Sequence, residues 1–464
     1  MPVSPHQGVS LLDGWFPLTL QIVAVVALLA AVGWRTRRWR LVWFPIAVVM
    51  AVAGAWGVHL YFDSEGLATD PAPWQLWVWV GLSIGAIAVL VLGFTTARWW
   101  RRGVTVVAML LTVATTSVIL NQWVGYYPTL SAAWGAITAG PLPDQVSAST
   151  LPSLRDTTRT KGAVVPMTTT DSISHFAHRT EYVYLPPAWF RGATPPTLPV
   201  VMMIAGEFNT PSDWIRTGNA ISIADAYAAQ HGGEAPVLAF VDAGGSFNND
   251  TECVNGPRGN VATHLTDEVR PAVISRFHTA SAAAQWGIVG WSMGGTCSVD
   301  LTVMHPDLFS SYVDIAGDAA PVAGTATQSV QRLFGGNASA AASFDPATVM
   351  KRHGPYVGVS ARYEEADQKG MSQWRGNGHA FHGGGKHPPG GWQGSGAGAG
   401  LGGRGDGGTN DQSQAAVALC ADNRAVDIAC TIDSRPGRHS WQFASGALEN
   451  TLPWLSHQIG VAGA

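Results

Sequence analysis

The chain has 464 residues, enough for two or three structural units, and carries a formal net charge of −4. That mild acidity gives no electrostatic footprint for nucleic acid. Apolar residues make up 47% and charged ones only 12%, with 20 tryptophans. This texture excludes an ordinary, uniformly soluble protein and points to a membrane component.

Four apolar runs occupy the first quarter: Trp15–Trp34, Leu41–Phe62, Trp74–Phe94 and Gly103–Trp123. Each is about 20 residues, the length of a helix that spans the hydrocarbon core of a bilayer. None contains Asp, Glu, Lys or Arg. The pattern predicts a four-helix membrane domain over residues 1–125. The first connection carries Arg35, Arg37, Arg38 and Arg40, and the third Arg98, Arg101 and Arg102. The second carries Asp63, Glu65 and Asp70. By the positive-inside rule the arginine loops face the cytoplasm, so both termini face outward. The flank before Trp15 lacks the basic residues of a signal peptide, so the first run reads as a retained span. His59, Gln21 and Asn121 are the few polar groups in these runs, too few to mark a transport pathway. The bundle reads as an anchor.

Residues 126–161, rich in Pro, Ser, Thr, Ala and Gly, read as a linker, part of which could pack on the following domain. From Gly162 strand and helix signals alternate. Strands are expected at Gly162–Thr168, Thr180–Leu185, Leu198–Ala205, Val237–Asp242, Ser311–Ala316, Tyr356–Ala361 and Asp427–Ile432. Helices are expected at Ile221–Gln230, Thr266–Arg276 and Gln442–Ile459. The alternation predicts an α/β domain over 162–464, with a mainly parallel central sheet flanked by helices. A glycine-dominated insertion at 370–410 interrupts it. His379, His382 and His387 cluster there, but without Cys or carboxylates at ligand spacing they read as a solvated loop. Neither a metal nor a cofactor is expected.

The chemistry centres on Trp286-Gly-Ile-Val-Gly-Trp-Ser-Met-Gly-Gly-Thr-Cys297, an apolar strand running through Gly290-Trp291-Ser292-Met293-Gly294 into a helix-like stretch. A serine in G-x-S-x-G between strand and helix is a nucleophile elbow, and glycines are needed two positions either side because a Cβ there meets backbone. A serine hydroxyl needs a base and a group that orients the base. In this architecture the order is Ser, acid, His. His439, just past the last expected strand, is the base candidate, with His457 the competitor inside a helix. The acid is expected in Tyr363-Glu364-Glu365-Ala366-Asp367, with Asp367 preferred, then Glu364, then Glu365. The oxyanion donors are expected to be the main-chain N–H of Met293 and that of Glu207 or Phe208 in the loop after Leu198–Ala205.

Several segments resemble the esterase D / antigen 85 mycolyltransferase family: Val237–Cys253, Gly256-Pro-Arg-Gly-Asn260, Thr263-His-Leu-Thr266, the elbow followed by His305-Pro306-Asp307-Leu-Phe309, His439-Ser-Trp441 and Leu452-Pro-Trp-Leu455. With the four-helix front, the chain is similar to membrane-anchored esterases of actinobacteria. The resemblance implies an α/β-hydrolase fold over 162–464 and a Ser-acid-His enzyme, an esterase or acyltransferase acting on lipid or cell-envelope acyl esters outside the cytoplasm. Ser292 and His439 sit on matching motifs, whereas residues 319–354 match no acceptor-binding pattern, so a sugar acceptor is possible but not implied. A catalytically silent hydrolase-fold scaffold is the alternative. An even cysteine count suits two disulfides on an oxidising side. Cys253 with Cys297 would brace the site and Cys420 with Cys430 would tie the last helix to the last strand. Free buried thiols are the alternative.

Overall fold

The computed structural model describes residues 8–33, 36–65, 72–94, 97–138, 140–367 and 412–463. The glycine-rich stretch 370–410, with His379, His382 and His387, lies outside the described residues. The chain forms two compact units that divide at residues 138 and 139.

The amino-terminal unit contains α1 (Trp15–Val32), α2 (Phe44–Glu65), α3 (Trp74–Gly93) and α4 (Trp99–Val124). These helices are long and apolar enough to cross a membrane. A single turn of π-helix, Trp39–Trp43, leads into α2. Helix α4 packs on both α1 and α3, and α2 packs on α3. Ala24, Leu76, Trp79, Ile119 and Trp123 form one interior cluster. Gly85 meets Ala51, where an added Cβ would stand 3.4 Å from that methyl. Small residues therefore set the close approach of α2 and α3. Asn121 closes the end of α4, bonding the Tyr127 carbonyl at 2.8 Å and accepting its N–H at 2.7 Å. His59 lies between the rings of Trp56 and Trp77.

The second unit is an α/β-hydrolase domain built on an eight-stranded sheet. The strands are β1 (Ala163–Met167), β2 (Glu181–Leu185), β3 (Val200–Ile204), β4 (Val237–Val241), β7 (Trp286–Trp291), β8 (Ser311–Ile315), β9 (Ser360–Asp367) and β10 (Ala429–Pro436). The remaining pair, β5 (Asn255–Gly256) and β6 (Gly259–Asn260), forms a separate small hairpin. The sheet order is β1-β2-β4-β3-β7-β8-β9-β10. From β4 to β10 every pairing is parallel, while β1 and β2 run antiparallel. β3, β4, β7 and β8 are buried along their whole length, which explains the unbroken apolar runs of β3, β4 and β7; β8 buries Ser311 and Asp314 as well.

Two expectations are corrected. The strand placed at Tyr356–Ala361 is β9, shifted to Ser360–Asp367, so the three carboxylates stand inside the strand rather than after it. The last strand is Ala429–Pro436, not Asp427–Ile432. Both misplacements have one cause: polar residues in β9 and β10 are paired across the two strands, and pairing is invisible to an apolar count. Part of the stretch read as a linker packs on the hydrolase unit. Gln145 bridges Val164 of β1, and Leu151 lies in the main core of the hydrolase unit.

Candidate active site

β7 delivers Ser292 to the carboxyl end of the sheet. Its φ of 59° is in the left-handed region, strained for a non-glycine residue, and its N–H donates to the Ile315 carbonyl of β8 at 2.9 Å. A helix, Met293–Met304, starts at the next residue. A Cβ on Gly290 would stand 1.6 Å from the Gly294 carbonyl oxygen, and one on Gly294 2.3 Å from that of Ile204. The turn is therefore closed to any side chain at either glycine. Met293 opens the helix, so its N–H has no acceptor within the helix and is directed to the positive helix end.

The loop after β3 borders the serine. A Cβ at Gly206 would lie 3.0 Å from Ser292 Cβ and 3.2 Å from the Trp291 carbonyl oxygen. Glu207 and Phe208 follow, half-buried, and Phe208 has a φ of 66°. Asn209 holds this turn by donating from Nδ2 to the Glu207 carbonyl at 2.6 Å. Arg179 reaches it from the strand-β2 side, donating to the Asn209 carbonyl at 2.8 Å while pairing with Asp242. The Arg179 guanidinium and the N–H groups of Arg179 and Gly245 outweigh burial and hold Asp242 below the usual carboxylate range. The Phe208 ring packs on the exposed Phe247 at 5.4 Å.

His439 sits between β10 and the helix Trp441–Gln458. Its ring lies on the Trp291 indole, with centroids 5.2 Å apart and planes 28° from parallel. Trp441 packs on the same indole, and Trp214 on Trp441. The imidazole is 2% exposed and neither ring nitrogen has a hydrogen-bond partner among the described residues. Burial lowers its pKa to about 4. His457 is exposed on the last helix.

The three carboxylates differ. Glu364 is fully buried and bonded by Arg362 at 3.0 Å, by Asn450 at 3.0 Å and by Arg435. Burial outweighs these partners and raises its pKa. Glu365 is 1% exposed and, by strand alternation, faces the opposite side of the sheet from Glu364. Asp367 is the last residue of β9, paired with Pro436, three residues before His439. None of the three bonds His439 among the described residues. The structure thus brings Ser292, Gly206 and His439 to one end of the sheet, and does not join His439 to an acid.

The structure contains both disulfides set out from the sequence, and a cavity that had no sequence signal. Cys253 and Cys297 form a disulfide with Cα atoms 5.5 Å apart, pinning the loop after β4 to the elbow helix. Cys420 and Cys430 form a second, joining the helix Gln412–Ala425 to β10. Beyond β8, a cavity of about 490 Å³ is lined by Asp318, Pro321, Val330, Phe334, Ala341 and Asp345 among others. The Asp318 N–H donates to Thr296 Oγ1 at 3.0 Å, one helical turn from Ser292.

Residues 177–454 match the family described as "Putative esterase". The chain belongs to this esterase family. An uncharacterized protein of Corynebacterium glutamicum is 30% identical over 471 residues, 98% of each chain. Among solved structures, a ferulic acid esterase is 16% identical with a TM-score of 0.44, covering 64% of this chain and 99% of the other. An S-formylglutathione hydrolase from Agrobacterium tumefaciens is 16% identical with a TM-score of 0.46, covering 66% and 98%. MPT51 of Mycobacterium tuberculosis is 15% identical with a TM-score of 0.37, covering 63% and 99%.

Proposed function

We propose that this protein is a membrane-anchored serine esterase or acyltransferase whose hydrolase domain works on acyl esters of lipids or the cell envelope. The observation that carries the proposal is Ser292, half-exposed in a strained strand-to-helix turn with the backbone of Gly206 against its side chain. Ser292 Oγ attacks the acyl carbonyl as His439 accepts its proton. The oxyanion is met by the N–H of Met293 and that of Glu207 or Phe208. Collapse expels the alcohol, protonated by His439, and leaves an acyl-serine. Water or an acceptor alcohol, a sugar hydroxyl included, then takes the acyl group by the reverse steps.

Asp367 is the preferred acid. It ends β9 opposite the segment that carries His439, whereas Glu364 is held by two arginines and an asparagine. Engagement of His439 by an acid would raise its pKa from the buried value, as a base working near neutrality requires. The cavity beyond β8 is the place for an acyl or acceptor group, since Thr296 and Asp318 connect its wall to the elbow helix. α1–α4 hold the domain at the membrane, and the arginine-rich connections put the catalytic side outside the cytoplasm.

A silent scaffold is the second reading, favoured by the unpartnered ring of His439. Fluorophosphonate labelling of purified protein separates the two. Wild type is expected to label and Ser292→Ala not to, with His439→Ala slowed by orders of magnitude; equal labelling of Ser292→Ala would remove the nucleophile assignment. Acyl esters offered with sugar alcohols then distinguish transfer, seen as acylated sugar, from hydrolysis, seen as free acid. A reporter at the carboxyl terminus active only in the cytoplasm would overturn the orientation.

A further inference from the structure

A second polar cluster lies on the β1–β2 side of the sheet, and the esterase reaction does not use it. His264 is fully buried, as is Glu181, the first residue of β2. His264 Nδ1 lies 2.9 Å from Glu268 Oε2, and its Nε2 3.3 Å from Glu181 Oε1. His178, half-buried, stacks on His264 with ring centroids 4.5 Å apart and planes 28° from parallel. Its Nδ1 is 2.9 Å from the Arg179 carbonyl oxygen and its Nε2 3.0 Å from that of Thr169.

All four ring nitrogens therefore face oxygen acceptors. A divalent cation can take the place of the hydrogen-bonding proton on one nitrogen of each ring, with the Glu181 carboxylate as the third donor.

We propose that His178, Glu181 and His264 bind a divalent transition-metal cation, with zinc the best fit. Their donor atoms lie within 4.8 Å of one another, and two imidazoles with one carboxylate form a borderline donor set that suits zinc. Bonding distances of about 2.1 Å need tetrahedral donors about 3.4 Å apart. Rotation of the half-buried His178 ring supplies the contraction and an entry path. The surrounding contacts orient the ligands as metal sites require. Glu268 accepts from His264 Nδ1 and is itself held by Ser174 Oγ at 2.6 Å and the Ile173 N–H at 2.7 Å. Glu181 accepts from Thr169 Oγ1 at 2.6 Å and the Asp242 N–H at 3.2 Å. Through Asp242 and Arg179 the cluster connects to the Asn209 carbonyl in the loop beside Ser292. The cation braces that loop and is not a reactant.

The test is zinc content of the full-length protein, purified in detergent and dialysed, measured by mass spectrometry. About one zinc per chain is expected, together with a melting temperature that a chelator lowers and added zinc restores. His264→Gln should lose the metal, and Glu268→Gln should weaken binding by about 10–100-fold through loss of ligand orientation. His178→Gln, at the half-buried edge, guards against simple misfolding: it should remain folded and bind zinc at least tenfold more weakly. Folded wild type without zinc and without a thermal response to added zinc would overturn the proposal. So would zinc that persists in His264→Gln and disappears when His379, His382 and His387 are replaced.

Discussion

His439 packs flat against the indole of Trp291, the residue immediately before Ser292, with 5.2 Å between ring centroids. The base candidate is thus located by the elbow itself, and burial against that indole keeps its ring neutral. The sign of the resulting pH dependence is definite. An unfolded histidine takes up a proton near pH 6.5, while the buried ring resists until about pH 4. Stability assigned to His439 is therefore fully present above about pH 6.5 and is lost as pH falls toward 4, by about 3 kcal/mol. Denaturant melts of wild type and His439→Gln at pH 7.5 and pH 4.5 measure it. The wild type should lose more stability than the variant over that interval.

Glycine 206 is the closest test of the loop beside the serine. A methyl there meets Ser292 Cβ at 3.0 Å and the Trp291 carbonyl at 3.2 Å, so the loop must move by a few tenths of an ångström. Gly206→Ala should stay folded and lose about tenfold or more in kcat/KM, since small displacements at a reacting centre are costly. Gly290→Ala, 1.6 Å from backbone, should fail to fold stably. Activity and melting temperature measured together distinguish these outcomes.

Carboxylates on β9 should separate by phenotype. Glu364→Gln weakens contacts to Arg362 and Arg435 in a buried setting and should lower stability by about 2–4 kcal/mol. Its fluorophosphonate labelling per folded molecule should survive. Asp367→Asn should leave the melting temperature nearly unchanged and reduce kcat by orders of magnitude. Reversal of the two patterns would move the acid role to Glu364.

The disulfides should contribute unequally. Cys253–Cys297 closes a loop of 44 residues and Cys420–Cys430 one of 10. Chain-entropy arguments give about 4 and about 3 kcal/mol respectively. Paired Cys→Ser variants, compared by chemical denaturation, check the order. Only removal of Cys253–Cys297 should also slow labelling of Ser292, because only that bridge holds the elbow helix.

By itself the sequence determined the features that rest on local pattern. Four uncharged runs of about 20 residues specify membrane-length helices, and Gly290 to Gly294 specify a turn that only glycines permit. The unbroken apolar runs of β3, β4 and β7 specify buried parallel strands, because both faces of each must be covered. What only the tertiary structure decided depends on pairing between distant segments. The ends of β9 and β10 follow from their mutual register, which put the carboxylates inside a strand and gave Glu364 to Arg435. His178 and Glu181 stand three residues apart, but His264 is 83 residues beyond Glu181 and meets them only because β2 and the helical segment beginning at Val261 pack together. The stacking of His439 on Trp291 has the same origin: an aromatic face becomes a partner only once two strands and a helix have met.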